Sequence, residues 1–289
     1  MLKKRIIASL TIKEGIVVQS INFKEYLPIG KPEIAVEFLN QWGIDEIIYT
    51  DISAQKNRQT PNFKGIKTLS HKCFVPLTVG GGITNTAEVA ELMHCGADKV
   101  SLNRALFDSP KLITDIAVEY GDQCVVVSID AIKVRDSYYV YNYLVGQPTS
   151  ILVEEAVKRA IGLGAGEIII NSVERDGSYT GYDLKLIDLV CNNSQVPVLA
   201  LGGAKNALDL ISVLTSTNAS AACAGNFFHF SEHSVILAKR QAHEEKVDLR
   251  LDTHTAYEEN SIGQDGRLLK KSEYALDKLL YLKIEKEII

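Results

Sequence analysis

The sequence predicts an α/β protein: a single (β/α)8 barrel, or TIM barrel, built from two repeated half-barrels and followed by a C-terminal extension. Three observations support this prediction. Short apolar runs alternate with helical stretches, two segments recur at an offset of about 120 residues, and the composition changes near Arg240. The 289 residues, 46% hydrophobic and 23% charged, have an ordinary globular composition and suffice for one barrel of roughly 250 residues.

Eight apolar runs predict the barrel strands. Most are rich in β-branched residues and bounded by Gly, Pro, Asn or Asp. They span Arg5–Leu10, Glu46–Asp51, Leu77–Gly80, Lys99–Asn103, Cys124–Asp130, Glu167–Asn171, Val198–Leu201 and Ala219–Ala224. Helical stretches between most of them span Pro32–Trp42, Thr86–Cys95, Pro110–Tyr120, Ile151–Leu163, Asp183–Cys191 and Ala207–Thr215. The alternative is an open doubly wound sheet, which usually has fewer strands and a glycine-rich first turn that is missing here.

Two pairs of similar segments form the internal repeat. Residues 6–13, Ile-Ile-Ala-Ser-Leu-Thr-Ile-Lys, resemble residues 126–133, Val-Val-Ser-Ile-Asp-Ala-Ile-Lys. Residues 79–83, Val-Gly-Gly-Gly-Ile, resemble residues 200–204, Ala-Leu-Gly-Gly-Ala. Four βα units repeated twice would close eight strands into one barrel, so the repeating unit is half a barrel.

The chain changes character after about Arg240. Residues 241–271 are polar and charged, whereas residues 274–289 have apolar residues near helical spacing. We therefore place the barrel at residues 1–252 and an extension with a helix at residues 253–289, which docks on the barrel or on a partner.

Composition excludes several classes of function. Since 31 Lys and Arg face 36 Asp and Glu, the formal charge of −5 argues against a nucleic-acid partner. No apolar run is long enough to span a membrane, and we interpret the basic N-terminus as the start of a strand and not as a signal peptide. Five scattered cysteines fit a reducing cytoplasm. His229 and His233 have helical spacing, but a solvated helix face is the favoured interpretation, and we expect neither a metal nor a cofactor.

Glycines and polar residues follow the predicted strands at their carboxyl ends, where barrels of this kind hold active sites. Backbone N–H groups in glycine turns can bind phosphate, and one cluster per half would suit a ligand with two anionic ends. The alternative is that glycine only permits tight turns. The predicted phosphate-binding residues are Gly81, Gly82, Asn103, Arg104, Asp176, Gly177, Gly202, Gly203, Gly225 and Asn226.

Asp130 ends the fifth predicted strand and could serve as a general acid or base, or else cap the next helix. We take Thr11 as its partner in the repeat, and a threonine hydroxyl cannot shuttle a proton near neutral pH without a strong base. The only carboxylate near the end of the first strand is then Glu14, in the following loop. We therefore expect no pair of acids across the pocket.

A second charged set stands at the opposite ends of the strands. Its members each directly precede an apolar strand, and strand parity turns both cations toward the barrel interior. These residues are Arg5, Glu46, Lys99 and Glu167. Two cations and two anions should meet at the N-terminal mouth, as a neutral gate or as a stabilising plug. Small or polar residues above them leave room for a narrow passage, or reflect variation in layer size: Ser9, Thr78, Ser101 and Ser128.

These residues resemble the cyclase subunit of imidazole glycerol phosphate synthase, the HisF family, over about residues 1–252. The matching segments are 4–7, 43–46, 78–83, 96–101, 164–168, 175–177 and 228–230. The resemblance implies a HisH-like glutaminase docked at the N-terminal face and ammonia passing through a gate of four charges. In the upper pocket ammonia would react with a bis-phosphorylated ribulosyl nucleotide, giving imidazole glycerol phosphate and an aminoimidazole carboxamide ribotide.

Several roles carry over by resemblance. Arg5, Glu46, Lys99 and Glu167 match the gate, Thr78 and Ser101 the passage, Asp98 the glutaminase interface, and Asp130 one catalytic aspartate. The departures lie in the upper pocket. Thr11 replaces the other catalytic aspartate, Gln19 a phosphate-contacting lysine, Ser9 a cysteine, and Arg104 and Asn171 two threonines.

An altered upper pocket above a preserved ammonia route is most similar to the branch of this family found in polysaccharide gene clusters. That resemblance implies delivery of ammonia for amidination of a phosphorylated sugar or glycan precursor, giving an acetamidino group. An additional ATP-dependent amidotransferase would activate the amide oxygen, because the chain has no recognisable ATP motif. The alternatives are a genuine cyclase subunit of histidine biosynthesis and a non-catalytic ligand-binding scaffold.

Overall fold

The computed structural model describes residues 3–56, 59–230 and 233–250, together with residues 261, 263 and 269. The chain divides into two units, Met1–His254 and Thr255–Ile289. In the second unit, the backbone N–H of Leu269 donates to the carbonyl oxygen of Ser261 at 2.9 Å. The helix predicted in residues 274–289 lies outside the described residues.

Eight parallel strands close into a barrel. The strands of the chain are β1 (Arg5–Lys13), β2 (Ile16–Ile21), β3 (Glu25–Gly30), β4 (Glu46–Asp51), β5 (Leu77–Gly80), β6 (Lys99–Leu102), β7 (Val125–Val134), β8 (Ser137–Asn142), β9 (Gln147–Leu152), β10 (Glu167–Ser172), β11 (Val198–Leu201) and β12 (Ala221–Ala224). The barrel runs β1-β4-β5-β6-β7-β10-β11-β12, and β12 pairs with β1. The predicted (β/α)8 barrel is confirmed, and closure excludes an open doubly wound sheet.

The other four strands extend two of the barrel strands. β2 and β3 continue antiparallel from β1, while β8 and β9 continue antiparallel from β7. This corrects the sequence prediction at Asp130, which lies inside β7 and caps no helix. It also corrects the start of the helix predicted at Ile151, because that residue belongs to β9.

Helices surround the barrel and bury their apolar faces against the outside of the strands. They are α1 (Pro32–Gln41), α2 (Ile52–Lys56), α3 (Phe63–Ser70), α4 (Thr86–His94), α5 (Ala105–Asp108), α6 (Pro110–Tyr120), α7 (Val153–Gly162), α8 (Leu184–Asn193), α9 (Ala207–Ser216), α10 (Asn226–His229) and α11 (Ser234–Glu244). Side-chain caps begin equivalent helices of the two halves: Asn85 accepts from the Glu88 N–H, and Asn206 from the Asp209 N–H.

The two histidines noted in the sequence do not share a helix. His229 ends α10, whereas His233 has a left-handed φ of 54° and immediately precedes α11. The solvated helix face expected for this pair is therefore wrong, and burial lowers the pKa of His229 to about 4.

The inside of the barrel has its own apolar layer, separate from the core beneath the helices. It consists of Ile7, Ile48, Val126, Ile169, Leu199, Ala221 and Cys223. Ile7 and Val126 occupy this layer in the first strand of each half, and two-residue periodicity then aligns Thr11 with Asp130. The similarity of residues 6–13 to 126–133 aligns Asp130 with Leu10 instead. That alignment is off by one, because Leu10 belongs to the core outside the barrel.

The C-terminal part of the barrel unit is fastened at the amino ends of the strands. Lys239 of α11 is only 1% exposed and forms an ion pair with Asp45, which precedes β4. Lys4 bridges to Leu249 and donates its backbone N–H to Asp248 at 2.9 Å. Residues 248–250 therefore lie beside the start of β1, at the N-terminal mouth of the barrel.

Candidate functional site

A cavity of about 630 Å³ opens at the carboxyl ends of the barrel strands. We call it the upper pocket. It brings together Thr11, Asp130, Ser101 and all ten residues predicted to bind phosphate: Gly81, Gly82, Asn103, Arg104, Asp176, Gly177, Gly202, Gly203, Gly225 and Asn226. The sequence therefore predicted the location of these residues, although their binding of phosphate stays a prediction.

The glycine turns have conformations that other residues would not tolerate. Gly81 and Gly203 both have a φ of +106°, and a Cβ on either would lie about 2 Å from a backbone oxygen. These contacts are made by the carbonyls of Asp51 and Gly181. The tight-turn interpretation is thus met at both positions, and it is compatible with phosphate binding because turns of this kind can expose their N–H groups.

Polar side chains at the rim hold the β2–β3 extension over the upper pocket. The Asp176 carboxylate accepts hydrogen bonds from the Ser20 hydroxyl at 2.6 Å and from the Phe23 N–H at 3.2 Å. The Asn226 amide donates to the Ser20 carbonyl at 2.8 Å. Burial raises the pKa of Asp176, and the hydrogen bonds that it accepts from Ser20 and Phe23 oppose that shift. Asp176 therefore anchors a pocket wall.

Two of the positions predicted to depart from the family pattern have local partners. Gln19 is buried, and its amide donates to the Tyr179 hydroxyl at 2.9 Å. Arg104 begins α5 at the pocket rim and donates from Nε to Asp108 at 2.7 Å. The Gln19 amide thus links β2 to the loop after β10, while Arg104 adds a positive charge beside the predicted phosphate turn.

Asp130 is the most deeply buried carboxylate of the upper pocket, at 6% exposure. Asn103 donates its amide to Oδ2 at 2.9 Å, and Asn171 donates to Oδ1 at 3.4 Å. Burial raises the pKa of Asp130 to about 7, and the two amide hydrogen bonds only partly oppose this. A carboxyl that titrates near neutral pH can accept or donate a proton, as general acid–base chemistry requires.

Other carboxylates line the upper pocket together with Asp130. Sequence reasoning missed Asp51, which ends β4, lines the same pocket as Glu14 and accepts the Ser53 N–H at 2.8 Å through Oδ1. Its position at a strand end was an available signal. No acid occupies the Thr11 position, which lies across the barrel from Asp130 because β1 and β7 are four strands apart.

The extensions of β1 and β7 also supply pocket residues that the sequence did not indicate. Phe23 and Lys24 follow β2, and Tyr143 and Leu144 follow β8, and all four line the upper pocket. Three neighbouring tyrosines, Tyr138, Tyr139 and Tyr141, lie on β8. The pocket role of Tyr143 has no signal in the sequence pattern.

At the opposite end of the barrel, four charged side chains form a closed ring of ion pairs. Arg5 contacts Glu46 and Glu167, each at 2.7 Å. Lys99 contacts the same two carboxylates at 3.0 and 2.7 Å. The sequence predicted this meeting. Glu46 is the most buried member, with a side-chain exposure of 2%, and also accepts a hydrogen bond from Thr78 at 2.9 Å.

The apolar layer separates this charged ring from the upper pocket. Ile48, Ile169 and Cys223 belong to that layer and also line the floor of the pocket. Ser9 and Ser101 line the same floor, whereas Thr78 is fully buried and bonded to the ring. The vertical order is therefore a charged ring, an apolar layer with small hydroxyl residues, and a polar pocket.

Aspartates flank the ring on the N-terminal face. Asp98 is exposed, and its carboxylate accepts the Leu77 N–H at the start of β5 at 2.8 Å. Asp45 accepts the Ile6 N–H at 2.8 Å in the same way. Asp98 therefore presents a fixed charge beside Lys99, as a docking residue would, and its role at a partner interface stays a prediction.

The described part of the chain shows neither a cluster of three or more residues suited to a metal ion nor a helix long and apolar enough to cross a membrane. All five cysteines are free thiols.

Comparisons with known proteins agree with the fold. The family model described as "Histidine biosynthesis protein" matches residues 5–234. "Putative imidazole glycerol phosphate synthase subunit hisF2" of Vibrio vulnificus (strain YJ016) is 41% identical over 267 residues, 92% of this chain and 98% of that protein. "Imidazole glycerol phosphate synthase subunit HisF" of Bacillus cereus (strain G9842) is 40% identical over 252 residues, 87% of this chain and all of that protein.

The two relatives differ in how much of the extension they match. The Vibrio alignment is longer than the 252 residues assigned to the barrel, so the similarity continues into the extension. This corrects the prediction that the resemblance stops near residue 252. The match covers most of the chain and nearly all of both relatives, and the chain belongs to the HisF family of histidine biosynthesis proteins.

Proposed function

We propose that this chain is the ammonia-receiving subunit of a synthase of the imidazole glycerol phosphate synthase type. The observation that carries the proposal is the closed ring of Arg5, Glu46, Lys99 and Glu167 beneath an apolar layer and a polar pocket. A HisH-like glutaminase docks on the N-terminal face, near Asp98, and releases ammonia at the ring.

The order of these layers suits neutral ammonia. The apolar layer penalises ammonium, because an unpaired charge loses far more solvation free energy on burial than a neutral amine. Thr78 and Ser101 give ammonia hydrogen-bonding stations near the ring and at the pocket floor. The ring is closed in the free chain, so docking of the glutaminase must rearrange at least one ion pair before ammonia enters.

The first candidate acceptor is the bis-phosphorylated ribulosyl nucleotide of the cyclase reaction. The names of the Vibrio and Bacillus relatives favour this acceptor. The pocket has a glycine turn in each half for two phosphates and a buried carboxyl, Asp130, with a pKa raised to about 7. On this proposal Asp130 transfers protons while the imidazole ring of the product closes. The other carboxylates that line the pocket take no part in this proton transfer.

The second candidate acceptor is a phosphorylated sugar or glycan precursor that becomes amidinated. Thr11, across from Asp130, and Arg104 favour it, because both line the pocket at positions where the family is expected to differ, while the charged ring keeps the expected family pattern. An ATP-dependent amidotransferase would then activate the amide oxygen. A ligand-binding scaffold without its own chemistry is the third possibility, and it predicts ligand binding without any ammonia-dependent product.

The coupling to a glutaminase is tested by mixing the purified full chain with its HisH-like partner and measuring glutamine hydrolysis. We expect a stable complex and faster hydrolysis. Lys99→Met should weaken coupling, because two ring carboxylates then share one cation. The matched control is Lys111→Met, whose side chain is 86% exposed on α6. A complex that forms without any stimulation, or no complex at all, would contradict the proposal.

The acceptors are distinguished by supplying ammonium salt without the glutaminase. Conversion of the ribulosyl nucleotide to imidazole glycerol phosphate by the wild-type chain would establish the cyclase candidate. Binding of that nucleotide without conversion, together with ammonia-dependent amidination of a sugar precursor when the ATP-dependent protein is added, would establish the second. Ligand binding without either product would support the scaffold.

A further inference from the structure

Asn171 carries a hydrogen-bond acceptor that has no donor among the described residues. It lies on β10 and is 7% exposed, and its amide donates to Asp130 at 3.4 Å. Its Oδ1 atom is fully buried and receives no hydrogen bond. Because an unsatisfied buried carbonyl oxygen is unfavourable, such atoms in native proteins usually meet a protein group, a water molecule or a ligand.

The surroundings of this oxygen belong to the upper pocket. Asn171 and Gly202 both line the pocket, and a Cβ added to Gly202 would lie 3.0 Å from Oδ1. A side chain at position 202 would therefore press against this oxygen, and glycine avoids that contact. The Asn171 amide nitrogen donates to the Asp130 carboxylate, which is itself an acceptor when ionised. The position therefore calls for a ligand that donates more than one hydrogen bond.

Asn171 also lies on the strand that leads up from the charged ring. Along β10, Glu167 belongs to the ring, Ile169 to the apolar layer, and Asn171 to the pocket, at intervals of two residues on one face. Asn171 is consequently the first polar side chain of β10 above the apolar layer. A small molecule that crosses the layer meets its free oxygen next to Asp130.

We propose that Asn171 and Asp130 form an acceptor site for ammonia at the upper end of the passage. Ammonia has three N–H donors, so it can donate one to Asn171 Oδ1 and another to the Asp130 carboxylate while its lone pair stays available to the acceptor substrate. Asn171 is thus a positioning residue, which holds the nucleophile and Asp130 together. The proposal rests on the proposed function only for the route by which ammonia arrives.

The site is tested on the full chain alone by NMR with 13C-labelled aspartate. The probe is ammonium chloride above pH 9, compared with sodium chloride at equal ionic strength. We expect the carboxyl signal of Asp130, assigned with Asp130→Asn, to shift saturably with ammonia. Asn171→Leu should weaken this binding about threefold to tenfold, as expected for the loss of one hydrogen bond. Asn171→Thr retains an acceptor oxygen, so its affinity for ammonia should lie between those of the wild type and Asn171→Leu.

The control is Ser172→Ala, the next position on β10, whose side chain has the opposite strand parity. It should bind ammonia as the wild type does. A merely structural role of Asn171 would change the pKa of Asp130 without changing the ammonia response. No saturable shift in the wild type, or equal affinity in folded Asn171→Leu and wild-type chains, would overturn the proposal.

A second arm asks whether the donor to Asn171 is instead an N–H or O–H group of the acceptor substrate. If Asn171→Leu weakens binding of the ribulosyl nucleotide while ammonia leaves the Asp130 signal unchanged in the wild type, the ammonia site is wrong. Neither arm uses the glutaminase. Failure of glutaminase coupling and failure of this site are therefore separate results.

Discussion

The two halves of the barrel repeat the same elements but place different chemistry on the same level. Thr11 and Asp130 lie across from each other in the upper pocket. In the first half Thr11 pairs in register with Thr50 of the next strand, and in the second half Asp130 pairs with Asn171. The strand, antiparallel extension and following helix recur at about 120 residues. The fold has thus kept its twofold repeat, while the acid and its amide partner are confined to one half.

The charged ring shows the reverse relation. Its two acids, Glu46 and Glu167, begin equivalent strands, one in each half. Both cations, Arg5 and Lys99, come from the first half and reach across to both acids. Neither half can close the ring alone. The two halves therefore contribute different chemical groups to the upper pocket, whereas ion pairs between the halves close the charged ring.

The largest effect is expected where the halves differ most. Asp130→Asn should lower ammonia-dependent product formation by about 10² to 10⁴, because it removes the buried acid–base group while keeping its shape. Thr11→Val, on the equivalent position of the other half, should cost much less. Both are measured as kcat/KM with ammonium salt. Equal losses in the two variants would contradict a division of labour between the halves.

The same residue predicts a pH dependence of stability. Burial raises the pKa of Asp130 to about 7, above the ordinary aspartate value of about 3.9, so the folded state favours the protonated form. Its contribution is fully present below pH 4 and is lost as pH rises to about 7, a change of about 4 kcal/mol. Urea unfolding at several pH values should show Asp130→Asn matching the wild type in acid and exceeding it at neutral pH. Thr11→Val should leave the pH profile unchanged, and parallel profiles of wild type and Asp130→Asn would contradict the assignment.

The two glutamates of the ring should differ in a smaller but measurable way. Glu46→Gln should cost about 3 kcal/mol of unfolding free energy, because it leaves Arg5 and Lys99 short of one buried carboxylate. Glu167→Gln should cost less, since its side chain is 10% exposed against 2% for Glu46, and only Glu46 accepts a threonine hydrogen bond among the described residues. Urea unfolding measures both. A larger loss of unfolding free energy for Glu167→Gln than for Glu46→Gln would show that the acid of the first half is not the more important one in the ring.

The barrel could be predicted from the sequence because eight short apolar runs alternate with helical stretches, a pattern that few other folds share. The four extra strands were missed for a physical reason: β3 is mostly exposed and contains Pro28, so it lacks the burial signal of a barrel strand. Asp51 was missed although it stands at a strand end, because the side chains that share its pocket depend on which strands adjoin, and barrel closure decides that. The register at Asp130 was misread by one residue in the segment alignment, and in a strand one residue moves a side chain to the opposite face.

The charged ring was predictable in outline, and Asn171 was not. Four charged residues that directly precede four barrel strands must all lie near the N-terminal mouth of the barrel. The free oxygen of Asn171 depends on the Asp130 side chain, the missing Cβ of Gly202 and the buried surroundings together. No pattern in one strand contains that combination.

The smallest expected effect makes the two halves more alike. Thr11→Asp places a carboxylate across from Asp130, and we expect it to raise nucleotide turnover with ammonium salt about tenfold to a hundredfold. We expect less than the full effect of an acid–base group because this variant leaves Gln19 and Arg104, which we also predict to depart from the family, as they are. The neutral control Thr11→Asn has nearly the same shape and should not raise it. An equal gain from Thr11→Asn would mean that size, not charge, limits the first half. No gain from either variant, with tight nucleotide binding, would turn the assignment toward the sugar acceptor.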